Sequence, residues 1–437
     1  MISITDENSR TPTVQSQQSL IEADEARQLL LAAVSPLART EHVMTECAWS
    51  RVLAHDIVSD INVPTLDKSA MDGYAIRLAD LCGDTTASLP VSQRIPAGQV
   101  GQPLLAGTAA RIFTGAPIPP GADAVVMQEH CEAVLAPAER AGFGSVLVRV
   151  VPPAGESIRL CGEDVQAGSV VLRSGSRLDA AALGLAATIG CAHLDVVARP
   201  RVGLFSTGDE LVMPGEPLLP GAIYNASRFT LGALLRGLGC IVNDLGNVPD
   251  RLDVTRATLR AAARDNDLVL SAGGVSVGEE DHLRPALREE GRLDLWAVAI
   301  KPGKPLVFGA VRRPEADPGN SVAGETLYLG LPGNPVSSFV TFLLFVRPVL
   351  LRMQGVRDVE PPSLLARADF DWQKPDARRE FLRVRRNVNG GLDVYPNQNS
   401  SVMTSLAWGD GLADIAPGRV VRAGDSVRYL SLAELAP

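Results

Sequence analysis

The chain has 437 residues, 46% hydrophobic and 21% charged, with a formal net charge of −9, the profile of a folded protein of about three domains at ~150 residues each. This length excludes a single small binding module, while 40 glycines and 31 prolines argue against a coiled coil or all-helical bundle. No basic run tracks a phosphate backbone, so general nucleic-acid binding has little support. Cys47, Cys82, Cys131, Cys161, Cys191 and Cys240 are scattered without a C-x-x-C pair. Neither a zinc knuckle nor a disulfide framework is expected, and a reducing cytoplasm fits best. The first residues lack the basic and apolar regions of a signal peptide, and the longest apolar stretch, 341–353, is interrupted by Arg347 and Pro348. No export signal and no membrane span are expected.

Residues 1–18, rich in Ser, Thr and Gln, read as a disordered tail. Ser19 and Glu22 have capping-box spacing and predict a helix whose apolar stripe is Ala26, Leu29, Leu30, Ala33 and Leu37. From about 60 to 175 the texture is short apolar stretches between Gly and Pro, such as 124–127 and 146–151, which is mostly β. An Ala- and Leu-rich helix follows over 178–192. Beyond Arg199-Pro200 strands and helices alternate: 202–205, 268–271, 298–300 and 327–329 read as buried strands, with helices near 226–238, 253–264, 281–290 and 335–351. That alternation predicts an open, mostly parallel sheet with helices on both faces. After Pro361-Pro362 short strands return over 381–385, 392–395 and 426–430, predicting a small terminal β domain.

Ligands of such a sheet bind beyond the carboxyl ends of its strands, and those segments carry chemistry. Gly273, Gly274 and Gly278 let backbone N–H groups approach an anion. Asn334-Pro335 is a cap and first-turn pair for a helix that points its N-terminus at the same rim. Lys301 and Lys304 supply point charges for phosphate. Asp209, Glu210, Asp250 and Asp281 supply the hard oxygens that Mg²⁺ requires. Taken singly, each feature has a plainer reading: a tight turn for the glycines, a helix cap for Asp250 and Asp281, solvated charge for the lysines. Complementary groups on four loops of one rim favour a site. The histidines show no metal-ligand spacing.

These residues resemble the molybdopterin molybdenumtransferase family, which includes the E domain of gephyrin. The strongest match is LDKSAMDGYA at 66–75, against the family's FDNSAMDGYA; 111–117, Arg159 with 162–164, 206–211, 271–281, 301–305 and 330–337 match in family order. The resemblance implies a multidomain α/β subunit: a helical and β lever region (19–66 and 161–199), an inserted β domain (67–160), a molybdopterin-binding α/β domain (200–360) and a C-terminal β domain (361–437). It implies a homodimer with shared active sites that inserts molybdate into adenylylated molybdopterin with Mg²⁺, releasing AMP.

By the same resemblance Asp72, Thr114, Arg159 and Asp164 act from the inserted domain. Glu210, Asp250, Asp281, Ser206, Gly273, Gly274, Ser276, Lys301, Lys304, Pro332 and Pro335 act from the α/β domain, with Glu210, Asp250 and Asp281 as metal ligands. Arg383 and Ser400 fall where the family places oxyanion contacts. Asp72 either orients a reacting oxygen or satisfies turn amides beside Gly73. Implied partners are a molybdopterin adenylyltransferase and downstream cofactor-handling proteins. Departures are Lys68 where Asn is usual, Tyr224-Asn225 for a common Tyr-Asp pair, and Ala297 where some members carry a base. Residues 312–325 read as a surface insertion. The competing readings are a molybdopterin adenylyltransferase and a gephyrin-like interaction scaffold.

Overall fold

The structure, a computed structural model, describes residues 20–81, 87–134, 142–275, 282–313 and 324–436. These form two compact units, one of 42–49 and 53–196, the other of the remaining described residues.

In the smaller unit a six-stranded sheet runs in the order Ala124–Met127, Gly73–Ile76, Ala109–Ile112, Ser88–Ile95, Ser145–Val148, Cys131–Val134. Both faces are covered, as the strand alternation shows: Tyr74, Ile76 and Val126 enter one apolar cluster, Ala75 and Val125 the other. Gly73 is fixed by crowding, because a Cβ there would lie 2.0 Å from the Val126 carbonyl oxygen. The strand predicted over 146–151 stops at Val148. The helix predicted over 178–192 is Ala180–Thr188, with Asp179 accepting from Ala182 N–H at 2.8 Å.

In the larger unit the central sheet has the order Ile241–Val248, Arg201–Thr207, Leu268–Ala272, Glu325–Leu331, Pro305–Arg312, Gly291–Ala297. The first four are parallel and the last two antiparallel to their neighbours. Helices Ala23–Ala32 and Ala226–Gly237 and the long helix 335–353 bury Leu30, Leu231, Leu235, Val340 and Phe345 on one face. Helices Leu252–Asp265 and Leu283–Glu290 bury Leu259, Ala262 and Leu287 on the other. The expected sheet covered on both faces is present.

Further details differ from the sequence reading. The first helix starts at Ala23 with Glu22 at its N-cap and no side-chain cap, because Ile21 is extended and accepts from Ala299 N–H at 2.8 Å; Ser19 lies outside the described residues. Its buried stripe is Ala23, Ala26, Leu30 and Val34, with Leu29 facing outward. The apolar run 298–300 is buried but is not a strand of the central sheet. The strand there is Gly291–Ala297, and Ile300–Lys301 instead pairs in parallel with Arg379–Arg386 of the C-terminal sheet.

That C-terminal sheet runs Ile300–Lys301, Arg379–Arg386, Gly411–Ile415, Ser426–Ser431, Leu364–Arg367, with Leu392–Val394 against Arg379–Arg386. Arg379 ties it to the first helix, pairing with Asp414 at 2.6 Å and Asp24 at 2.9 Å. Residues 20–41, grouped with the lever in the sequence reading, belong to this larger unit.

The helix 335–353 consists of Pro335–Thr341, a π-helical segment Phe342–Val346 and Arg347–Met353. Arg347 N–H reaches back to Phe342 O, the wider turn through which the chain passes Pro348, which has no N–H to give. Among the described residues this is the one helix long and apolar enough to cross a membrane, and 89% of that window is buried inside the protein, as in a core helix.

Candidate functional site

At the carboxyl ends of the parallel strands lies a cleft of about 740 Å³ whose walls include Ser206, Glu210, Asp250, Gly273, Gly274, Pro332 and Pro335. The strand ending at Thr207 turns through Gly208, where a Cβ would lie 2.5 Å from Glu210 Oε2, so the glutamate folds back over the turn. Asn247 Nδ2 holds this turn by donating to Gly208 O at 3.1 Å. Asp209 and Asp250 bracket each other: Asp250 Oδ2 accepts from Asp209 N–H at 3.3 Å, and Asp209 Oδ1 from Asp250 N–H at 3.1 Å. Asp250 is therefore not a helix cap. The N-cap of the following helix is Arg251, without a side-chain cap bond.

Burial raises the Asp250 carboxyl above its ordinary value, and the negative Asp209 and Glu210 raise it further, against the pull of the Asp209 N–H. Carboxylates are the donor type that a hard cation takes. Asp281 and Ser276 lie outside the described residues. Among the described residues no group of three or more His, Cys, Asp or Glu side chains is arranged to hold a metal.

The glycine loop works differently from expectation. Gly273 and Gly274 have φ of +94° and +66°, but Gly273 N–H is committed to Leu331 O at 3.0 Å and is not free for an anion. Their lack of side chains is required by Thr207, whose Oγ1 would stand 2.6 Å from a Cβ on Gly274. Asn334 occupies the N-cap of the long helix and Pro335 its first turn, as expected. The Asn334 side chain makes no cap bond and lines the cleft.

A second cleft of about 510 Å³ shares Pro305 and Ser337 with the first and carries Lys301, Lys304, Arg383 and Ser400. Arg383 is 1% exposed, with Nε donating to Ser405 Oγ at 3.1 Å and its terminal nitrogens to the carbonyls of Phe381 and Asn399 at 3.3 Å. Burial draws its guanidinium down to about 10, leaving it charged at neutral pH. Lys301 is not a free phosphate ligand, since its Nζ lies 3.1 Å from Glu380 and 3.3 Å from Asp376. Glu380 is itself buried and accepts from Trp372 Nε1 and Asp376 N–H. Lys304 is exposed, without an ion pair among the described residues. Ser400 O accepts the Val336 N–H at 3.1 Å, so Ser400 sits against the first turn of the long helix.

In the smaller unit Asp72 Oδ1 accepts from both the amide (2.8 Å) and the hydroxyl (2.7 Å) of Thr114. These donors, the amide first, hold the half-buried Asp72 carboxyl below its ordinary value. The aspartate thus joins two separate loops and does not cap its own turn. Arg159 is exposed and stands in register with Lys68, where Ile158–Arg159 pairs with Lys68–Ser69. Asp164 is exposed on a different turn, its N–H donating to Val63 O at 2.9 Å, with no hydrogen bond to the Asp72–Thr114 pair.

Thr207, Asn247, Glu380 and Asp376 shape the clefts without having been singled out from sequence. For Thr207 the available signal was its place as the last residue of a strand in a ligand-binding sheet.

An open α/β domain with carboxylates and small hydroxyls in one cleft and a buried guanidinium in the next, fused to a C-terminal β domain, defines a multidomain α/β protein with two adjoining clefts. Residues 21–190 match the family model for the MoeA N-terminal region (domain I and II), 203–352 that for a probable molybdopterin binding domain, and 365–432 that for the MoeA C-terminal region (domain IV). The chain is 39% identical over 378 residues to the molybdopterin molybdenumtransferase of Haemophilus influenzae, covering 86% of this chain and 89% of that protein. It is 35% identical to that of Bacillus subtilis, covering 90% of each. The crystal structure of the molybdopterin biosynthesis moeA protein from Pyrococcus horikoshii OT3 superposes with a TM-score of 0.79 at 30% identity, covering 94% of this chain and all of that one. The chain belongs to the molybdopterin molybdenumtransferase (MoeA) family, as the sequence resemblance implied.

Proposed function

We propose that this chain inserts molybdate into adenylylated molybdopterin and releases AMP. The observation that carries the reading is the pair of contiguous clefts: one lies in the domain that matches a molybdopterin-binding model, and the other presents the buried Arg383 guanidinium, Lys304 and Ser400 to an oxyanion. Charge assigns the roles. Arg383 and Lys304 attract molybdate, a tetrahedral dianion. Glu210, Asp250 and Asp281 would hold Mg²⁺, which when bound would neutralise the phosphoanhydride. Lys301, oriented by Glu380 and Asp376, faces the nucleotide phosphate as the centre of a charge network. Asp72, kept anionic by Thr114, orients the attacking oxygen, and Arg159 and Asp164 complete that side.

The protein acts as a cytoplasmic homodimer in which Asp72, Thr114, Arg159 and Asp164 of one subunit serve the cleft of the other. A division into a lever, 67–160, 200–360 and 361–437, with residues 20–41 joined to the α/β unit, fits that sharing. A molybdopterin adenylyltransferase supplies the substrate and cofactor-handling proteins take the product; neither nucleic acid nor membrane is a partner.

Turnover of the purified protein with adenylylated molybdopterin, Mg²⁺ and molybdate should release AMP in step with cofactor formation, and failure to release AMP overturns the reading. Site sharing is tested by reassociating the impaired D72N and D250N proteins in equal amounts and reading activity above what either variant retains alone. About half the dimers should be mixed, each with one intact site, giving about a quarter of wild-type activity. No recovered activity, with mixed dimers verified by mass, refutes the shared site.

A further inference from the structure

Among the described residues, two polar atoms in the wall of the larger cleft have no partner: the amide nitrogen Nδ2 of Asn225 and the hydroxyl Oγ1 of Thr207. Asn225 is 2% exposed and Thr207 7%, and a buried polar group without a partner is costly unless a ligand or water completes it. The orientation of Asn225 is fixed. Its Oδ1 accepts from Arg228 N–H at 3.1 Å, capping the helix Ala226–Gly237, and from Ser206 Oγ at 3.4 Å. A flipped amide would set Nδ2 against the Arg228 N–H, so the free donor is committed away from the cap. The Thr207 hydroxyl lies beneath the Gly273–Gly274 turn, where a Cβ would come within 3.0 Å and 2.6 Å of it. The two glycines leave it uncovered by any side chain of that turn.

We propose that Asn225 and Thr207 are specificity-determining residues that read the heterocycle of the bound pterin, Asn225 donating to an oxo or ring-nitrogen acceptor and Thr207 adding a hydroxyl contact. The inference rests on the pterin reading above. A 2-amino-4-oxopyrimidine edge sets acceptors and N–H donors side by side, which an amide donor among the hydroxyls of Ser206, Thr207 and Ser227 complements. None of these four side chains carries the positive charge that would favour a phosphate instead. At this position the amide demands an acceptor from the ligand, whereas a carboxylate would demand a donor.

The test uses the full-length protein, with 6-hydroxymethylpterin alone and AMP alone as binding probes and adenylylated molybdopterin for turnover. Asn225→Asp keeps the helix cap, since Asp caps about as well as Asn, and withdraws the donor. Thr207→Val removes the hydroxyl at nearly constant shape. In each variant the pterin Kd should rise about tenfold, the scale of one lost hydrogen bond in a dry site, with AMP binding unchanged. The melting temperature of Thr207→Val should hold or rise, because the hydroxyl removed had no partner; a purely structural role predicts a fall. Unchanged pterin affinity in both variants, or a loss confined to AMP, overturns the proposal while an active wild type leaves the transferase reading standing. A wild type that neither binds the pterin nor releases AMP overturns both.

Discussion

Asp72 in the smaller unit and Asp250 in the larger are both carboxylates of the proposed chemistry, and their surroundings push them in opposite directions. Two donors from Thr114 converge on Asp72 and stabilise its charge. Asp250 is partly buried, receives a single weak bond from Asp209 N–H and faces the charges of Asp209 and Glu210, all of which except that N–H destabilise its anion. An aspartate satisfied by its own protein is finished machinery, fit to orient a neighbour. One left in repulsion with other carboxylates carries a charge its own protein leaves unsatisfied, as the proposed cation role requires.

The contrast breaks most visibly under Asp250→Asn. Turnover should fall about a hundredfold or more, since the lost charge acts in placing the cation. Stability should hold or rise slightly, because the amide oxygen still accepts from Asp209 N–H and the repulsion is relieved; kinetics beside a urea titration checks both signs. Asp72→Asn should lower turnover about tenfold to a hundredfold, and here the melting temperature should fall, because Thr114 loses a charged acceptor. Equal signs of stability change in the two variants would erase the distinction.

Magnesium sharpens it further. At ten times its Kd a cation bound only by the folded protein stabilises by about 1.4 kcal/mol, so Mg²⁺ should raise the melting temperature of the wild type and of D72N but not of D250N. The smallest effect is in pH. The depressed carboxyl of Asp72 contributes stability above the ordinary aspartate range, near pH 4, and that contribution is lost as pH falls through its lowered value. Thr114→Val removes one of its two donors, so the carboxyl rises and the acid limb of the activity profile should move to higher pH, by less than about one unit.

The sequence made the α/β core legible because buried parallel strands leave long apolar runs, such as 268–271, and because 226–238 keeps helical spacing. It mislocated the run 298–300. Val298 and Ile300 are as buried as any strand residue, yet the strand is the preceding Gly291–Ala297, an antiparallel edge whose Arg292 and Asp294 disguise it. Burial is written in composition; the sheet a segment joins is decided by partners far along the chain, as Ile300–Lys301 joining Arg379–Arg386 shows. At the site, residue types were legible and their engagements were not. Lys301 reads as free charge until Glu380 and Asp376 are placed beside it, and Asp250 reads as a cap until Asp209 answers it. For Thr207 the sequence offered only its position at a strand end, because the absence of a partner for its hydroxyl shows only in three dimensions.

The helix 335–353 also bears on how the chain is made. It follows Glu325–Leu331, the last strand to enter the central sheet, and supplies Val340, Phe342, Phe345 and Leu350 to the core on one face. Until residue 353 has left the ribosome, that face of the sheet is without its principal cover, and the segment that will provide it is as greasy as a membrane span. The larger unit is therefore the one most exposed to aggregation during synthesis, and a stalled or truncated chain ending before this helix should be a client of chaperones and proteases.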